Sequence, residues 1–223
     1  MNFESKFNVY DKNAIVQKLV AKDLITLVRV SSSSKTYDNA LEIGCGTGIF
    51  TRLFAYQYKP KSLILNDLCD TKKYLTDIEY TKFIQADIES LSIPHMDIIV
   101  SSSVFQWIKD FEKLIASLSK NSRELAFSLY IKDNLLEIKE HFNVSLPYMT
   151  FNEIICTLQK YYKRVVGFEN EYKQEFKTPL EVLKHLKNTG VTGFSKVNDI
   201  KKIRSFNKTS LTYKSACFYA KAD

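Results

Sequence analysis

Seven residues, Glu42-Ile43-Gly44-Cys45-Gly46-Thr47-Gly48, constrain this chain more than any other stretch. They follow the short apolar run Ala40-Leu41 and precede a segment in which Phe50, Leu53 and Phe54 share one helical face. Glycines at alternate positions let a strand turn sharply into a helix and leave the backbone open to a ligand. A purely structural turn could use the same glycines. The spacing of the next acid argues for more, because Asp67 lies 23 residues after Gly44 and closes a second apolar run, Leu63-Ile64-Leu65. In doubly wound α/β sheets an acid about 20 residues beyond such a loop holds ribose hydroxyls. The expectation is an adenosine-type ligand on a sheet of that kind.

The loop also narrows the ligand. Dinucleotide sites use Gly-x-Gly-x-x-Gly, with a helix N-terminus free to meet a pyrophosphate. Here the third glycine comes one residue early, and a carboxylate, Glu42, opens the loop. That charge opposes a pyrophosphate and suits a ligand with a positive centre. Two plainer readings stay open. Asp67 could cap a helix beginning near residues 69–70, and Asp87, followed by Ile88-Glu89-Ser90, could be a solvated turn. Cys45, a small residue between two glycines, reads as packing rather than as a nucleophile.

A length of 223 residues suits one α/β domain over 1–223 with room for a lid. Cys45, Cys69, Cys156 and Cys217 are scattered, with no Cys-x-x-Cys and no histidine at ligand spacing, so neither a metal site nor a disulfide framework is expected. Residues 1–18 are mixed and charged, unlike a signal peptide, and no run reaches the length of a membrane span. A cytoplasmic protein without a membrane partner is the simplest expectation. The net charge of +7 comes mostly from lysine, since arginine occurs only at 29, 52, 123, 164 and 204. Such a surface steers acidic partners, and nucleic acid, anionic lipid or an acidic carrier protein would all qualify. The lysines are dispersed and no arginine-rich arm exists, so charge alone does not choose among them.

Along the chain, residues 1–36 read as a helical preface, with Ala14, Leu19, Leu24, Leu27 and Val28 as its apolar pattern and the serines at 31–34 as its end. Strands and helices then alternate. Strands are expected at 37–43, 62–66, 81–86, 96–101 and 124–130, with helices at 47–58, 71–76 and 107–118. That order predicts a parallel sheet with ligands at the carboxyl ends of its strands. Beyond 130 helices are expected at 134–142, 152–161 and 180–188. A strand-rich stretch covers 163–176, a lysine- and serine-rich connection covers 195–210, and a last strand covers 211–220. His95, His141 and His185 read as surface residues rather than bases.

Glu42-Ile43-Gly44-x-Gly46-Thr47-Gly48 resembles the first motif of the Rossmann-like class I methyltransferases that use S-adenosylmethionine (SAM). Asp67 matches their ribose-binding acid, Ala86-Asp87-Ile88 the loop that meets adenine, and 96–101 the strand whose end, at Ser101, faces the methionine part of the cofactor. The resemblance covers roughly residues 37–130. It implies a mostly parallel seven-stranded sheet with an antiparallel last strand, helices on both faces and an inserted helical lid. No Asn/Asp-Pro-Pro-aromatic run or Pro-Cys nucleophile motif occurs, which points to an acceptor that is already nucleophilic.

A closer resemblance runs nearly end to end. Phe7-Asn8-Val9-Tyr10-Asp11 with Ala14 and Gln17, the loop at 86–91, Ser101-Ser102-Ser103-Val104-Phe105-Gln106-Trp107, Leu186-Lys187-Asn188-Thr189-Gly190 and Leu211-Thr212-Tyr213 are similar to segments of the malonyl-(acyl-carrier protein) O-methyltransferases of biotin synthesis. That family esterifies the free carboxylate of a malonyl thioester. The resemblance implies SAM as cofactor and malonyl-loaded acyl-carrier protein, or malonyl-CoA, as partner; a monomer without a nucleic-acid partner is the accompanying expectation. It implies that Tyr10, Gln17, Glu42, Gly44, Cys45, Gly46, Gly48, Asp67, Leu68, Asp87, Ile88 and Ser101 surround the cofactor. Tyr10 and Gln17 would order the methyl donor, and Gln106, Trp107 and Lys187 would meet the acyl substrate. Ser102 stands where the family has asparagine, and Lys120-Asn121-Ser122 where many members have Pro-Gly-Gly. Arg164 and Lys187 are the candidates for a carboxylate clamp. Another small carboxylate or hydroxyl acceptor would also fit the core motifs, and a SAM-binding scaffold or RNA-interacting module without turnover is the reading from another class.

Overall fold

The computed structural model describes residues 13–189 and 199–222. Seven strands form one sheet: β1 (Asn39–Ile43), β2 (Ser62–Asp67), β3 (Lys82–Gln85), β4 (Met96–Ser102), β5 (Ser122–Tyr130), β6 (Arg164–Glu175) and β7 (Ser210–Lys221). Their order is β3-β2-β1-β4-β5-β7-β6. The first five pair in parallel, whereas β7 runs antiparallel between β5 and β6. Strand order reverses between β1 and β4, the place where sheets of this kind bind ligands.

Alternation along the central strands sends side chains to two apolar layers. Leu41 and Ile43 of β1, with Ile99 of β4 and Phe127 of β5, pack on one face against Leu114, Ile115 and Leu118 of α3 (Phe111–Asn121) and Ile154 and Leu158 of α5 (Phe151–Gln159). On the other face Ala40, Ile98, Val100 and Ala126 meet α1 (Ile15–Ser31) and α2 (Ile49–Tyr58) through Leu24, Leu27, Phe50 and Phe54. A third cluster sits beyond the carboxyl ends of the strands. It joins α4 (Leu136–Phe142), α6 (Pro179–Thr189) and Ile203 of α7 (Ile200–Ser205) to Tyr130, Tyr213 and the first turns of α1. These three helices form a cap, and α1 bridges it to the sheet by placing Val16 and Val20 in the cap cluster and Leu24, Leu27 and Val28 in the sheet-face cluster, mainly against β7 and β5.

Several expectations shift. Leu19 of the preface is 38% exposed, and Val16 and Val20 take the buried positions instead. The helix expected from Trp107 starts at Phe111, because Asp110 accepts from the Lys113 amide at 3.0 Å and Trp107 closes a separate 3-10 turn, Phe105–Trp107. The connection at 195–210 contains α7, capped by Asp199 through the Lys201 and Lys202 amides. Short strand–helix patterns of this kind carry too few apolar repeats to be told from loop.

Candidate functional site

A cleft opens at the carboxyl ends of β1, β2, β4 and β5. Its larger compartment is lined by Gln17, Gly44, Gly46, Asp67, Leu68, Cys69, Ser102, Ser103, Val104, Gln106, Trp107, Tyr130 and Thr189. A smaller one continues past Gln17, Gly44, Gly46 and Ser103 to Glu42, Cys45, Thr47 and Phe50.

The glycine loop is held from β2. The Asn66 carbonyl accepts from the Gly44 and Cys45 amides at 2.8 and 3.0 Å. Asp67 Oδ2 accepts from the Gly46 amide at 2.8 Å, and Oδ1 from the Cys69 amide at 2.9 Å. So Asp67 both caps the following turn and fixes the loop, while lining the cleft. Burial raises the carboxyl above its ordinary range, and these amide bonds oppose that rise. Gly44 and Gly46 have φ of 69° and 53°, a region costly for other residues. A Cβ on Gly44 would lie 2.3 Å from Val104 Cγ2, whereas one on Gly46 would meet nothing within 4 Å. Gly46 thus turns its open side to free space. Gly48, at φ 82°, begins α2.

Glu42 is buried beneath the loop, and its Oε2 has no hydrogen-bond partner within 3.5 Å. Burial pushes its carboxyl up to about 8, the neighbouring Thr51 hydroxyl pulls it down, and Asp67 adds a smaller rise. Gln17 Oε1, from α1, is likewise buried without a partner beside the same cleft. Cys45 is buried against Thr71, with its thiol pushed well above the usual range by burial, which suits packing and not nucleophilic attack.

Ser103 stands at φ 60° after β4, and its buried Oγ has no partner. Its carbonyl accepts from Gln106 Nε2 at 2.7 Å, which leaves Gln106 Oε1 unpartnered at the cleft wall. Trp107 forms the next part of that wall.

Not every expected residue reaches the cleft with its side chain. The Ser101 hydroxyl donates to the Ile43 carbonyl at 2.9 Å, stitching β4 to β1, so Ser102 and Ser103 face the cleft in its place. Ile88 packs in the apolar core. Asp87 is exposed, accepts from the Glu89 amide at 3.0 Å and lies outside the lining, though Asn66 ties its loop to β2 through the Ala86 carbonyl. Lys187 is exposed on the outer side of α6, and Arg164 donates to the Ser31 carbonyl at 3.1 Å, so neither forms part of the cleft. Tyr10 lies outside the described residues, as does Gly190.

His185 corrects another expectation. It is 5% exposed, within 2.7 Å of the Tyr213 hydroxyl, and burial lowers its pKa to about 4, so it is neutral at physiological pH. It braces α6 against β7 rather than facing solvent. Tyr130 and Thr189 were missed as cleft residues. Tyr130 ends β5, so the strand-end rule could have found it. Thr189 lies in the matching segment 186–190, where the resemblance marks only Lys187 as a site residue, and it reaches the cleft because α6 folds back over β5 and β7.

Residues 41–123 match the protein family described as "Methyltransferase domain". The malonyl-[acyl-carrier protein] O-methyltransferase of Calditerrivibrio nitroreducens is 38% identical over 200 residues, covering 88% of this chain and 80% of that protein. The enzyme of the same name from Bacteroides thetaiotaomicron is 32% identical, covering 86% and 77%. In fold, the chain resembles the crystal structure of the YcgJ protein from Bacillus subtilis, with a TM-score of 0.66 at 12% identity, covering 91% and 99%. The glycine loop, the acid ending β2 and the sheet order agree with these likenesses, and the chain belongs to the malonyl-[acyl-carrier protein] O-methyltransferase family of SAM-dependent class I methyltransferases.

Proposed function

We propose that this chain transfers a methyl group from SAM to the free carboxylate of a malonyl thioester borne by an acyl-carrier protein. The cleft fits that cofactor. Gly46 leaves open space where a ligand can approach the backbone, and Gln17 Oε1 and Glu42 Oε2 are buried acceptors awaiting a cationic or donor-rich partner. Asp67 retains acceptor capacity for ribose hydroxyls beyond its two amide bonds. The 66% exposed Leu68 offers an apolar face for the base, beside the Asp87–Ile88 loop. Tyr10 belongs to the same reading as a residue that closes over the donor. When bound, SAM supplies a methyl group on a positively charged sulfur.

The observation that carries the acceptor assignment is the composition of the cleft. Its described lining contains no lysine, arginine or histidine, and presents Ser103, Trp107, Tyr130 and Gln106 around an apolar chamber. A carboxylate oxygen held there would take the methyl group that SAM supplies, with its own lone pair forming the new bond and the displaced pair remaining on SAM's sulfur, so the lining would have no proton to remove. The reaction cancels two opposite charges, so excluding water and placing the groups are what this lining contributes. The neutral hydroxyls of Ser103 and Tyr130 can donate to the carboxylate without quenching its nucleophilicity as a cation would, while Gln106 shapes the wall.

With both substrates saturating, kcat should therefore stay flat from about pH 6 to about pH 9, because the acceptor is already ionised, transfer needs no base, and a bound cation holds Glu42 in its charged form. A kcat that climbs with pH across this range would instead indicate a protein base and a hydroxyl acceptor.

Glu42 gives a second test. Its raised folded-state value means that the unfolded chain releases this proton first, so the group lowers stability as pH rises from 4.5 to about 8. A cation beside it favours the charged form. The rise in Tm produced by SAM should then be larger near the upper end of that range than near the lower, and Glu42→Gln should flatten the difference. An equal rise at both ends in the unaltered protein would separate Glu42 from the cofactor.

A further inference from the structure

The net charge of this chain is concentrated in the segment that carries α6 and α7. Residues 176–209 hold eight lysines and arginines against two acids, a net +6 out of +7 for the whole chain. Both acids are turned to backbone amides, Glu181 accepting from the Lys177 amide at 2.9 Å and Asp199 capping α7. Lys177, Lys184, Lys187, Lys201, Lys202, Arg204 and Lys208 are all exposed, and none is within an ion pair's reach of an acid among the described residues. Several lysines elsewhere are paired, as Lys61 is with Asp38, Lys160 with Glu112 and Lys173 with Glu175, but the unpaired cations of 176–209 stand with few acids around them in the chain. Two large apolar side chains, Leu180 and Ile200, are 59% and 63% exposed at the starts of the same two cap helices. A run of unpaired cations attracts an acidic partner, and exposed apolar side chains on the same helices give that partner surface to bury. The location matters as well: α6 carries Lys184 and Lys187 outside and ends at Thr189, in the cleft wall beside Tyr130.

We propose that the outer face of α6 and α7 is the docking surface for an acidic carrier protein, which places the carrier's flexible arm at the mouth of the cleft. This rests on the reaction proposed above and adds the surface that selects its protein partner. Complementary charge acts chiefly on encounter and orientation, so its loss should appear in KM and in salt dependence rather than in kcat.

The test compares Lys184→Glu/Lys201→Glu/Lys202→Glu with Lys113→Glu/Lys120→Glu, a change of similar kind on α3. Each is assayed with malonyl-loaded carrier protein and with malonyl-pantetheine, which has the arm and no protein. Holo-carrier binding is followed in parallel by calorimetry. The cap variant should raise KM for the carrier substrate by about tenfold or more and leave malonyl-pantetheine within about twofold. Added salt should erase the difference from the unaltered protein, and the α3 variant should change neither substrate. An unchanged carrier KM, or an equal rise for both substrates, overturns the docking surface. If the unaltered protein methylates neither substrate, the reaction fails on its own account. Carrier binding that the cap variant loses would then still support the surface, and equal binding would overturn it.

Discussion

Gly46→Ala is expected to abolish most cofactor binding while leaving the protein folded. The new Cβ meets no protein atom within 4 Å, so the folding cost is limited to holding φ at 53°, about 1–2 kcal/mol. The methyl group would occupy the space that faces the cleft. Gly44→Ala differs in kind, because its Cβ lies 2.3 Å from Val104 and forces the start of the segment carrying Gln106 and Trp107 to move. Tm should fall markedly for Gly44→Ala and only slightly for Gly46→Ala, whereas calorimetry should show weak SAM binding for both. Near-normal affinity in a folded Gly46→Ala protein would mean that no ligand approaches the loop there.

Asp67→Ala removes two charge-assisted bonds that hold the Gly46 and Cys69 amides, together with the acceptor proposed for ribose hydroxyls. Loss of bonds of this type costs about 1.5–3 kcal/mol, which is about a 10- to 150-fold weaker affinity. Asp67→Asn separates the two functions, since its amide oxygen can still accept one loop N–H while the charge is gone. Affinity between that of the unaltered protein and that of Asp67→Ala is expected. If Asp67→Ala binds SAM as the unaltered protein does, the cleft holds its ligand elsewhere.

The sheet was legible because its signals are local. Leu63-Ile64-Leu65 ending in Asp67, and 96–101 ending beside the loop, mark strands and their carboxyl ends together. The glycines at 44, 46 and 48 all take positive φ, as their spacing suggested. The cap was less legible. His185 lies on a short amphipathic helix whose buried side is fixed by Tyr213, 28 residues away, and no local pattern carries that contact. Ser101 illustrates a related limit, because the motif locates the strand end correctly but one residue of register decides whether a hydroxyl meets the cleft or the neighbouring strand. Lys187 shows that a charge within a matching motif is placed by helix phase, which here points it to solvent.

The most direct measurement is transfer of labelled methyl from SAM to malonyl-loaded acyl-carrier protein, beside acetyl-loaded carrier and malonyl-CoA. Label should enter only the acceptors with a free carboxylate, faster on the carrier than on CoA, as an ester that mild base removes. Intact SAM binding with no transfer to the malonyl carrier, or equal transfer to the acetyl carrier, would contradict the assignment of a malonyl carboxylate as the acceptor.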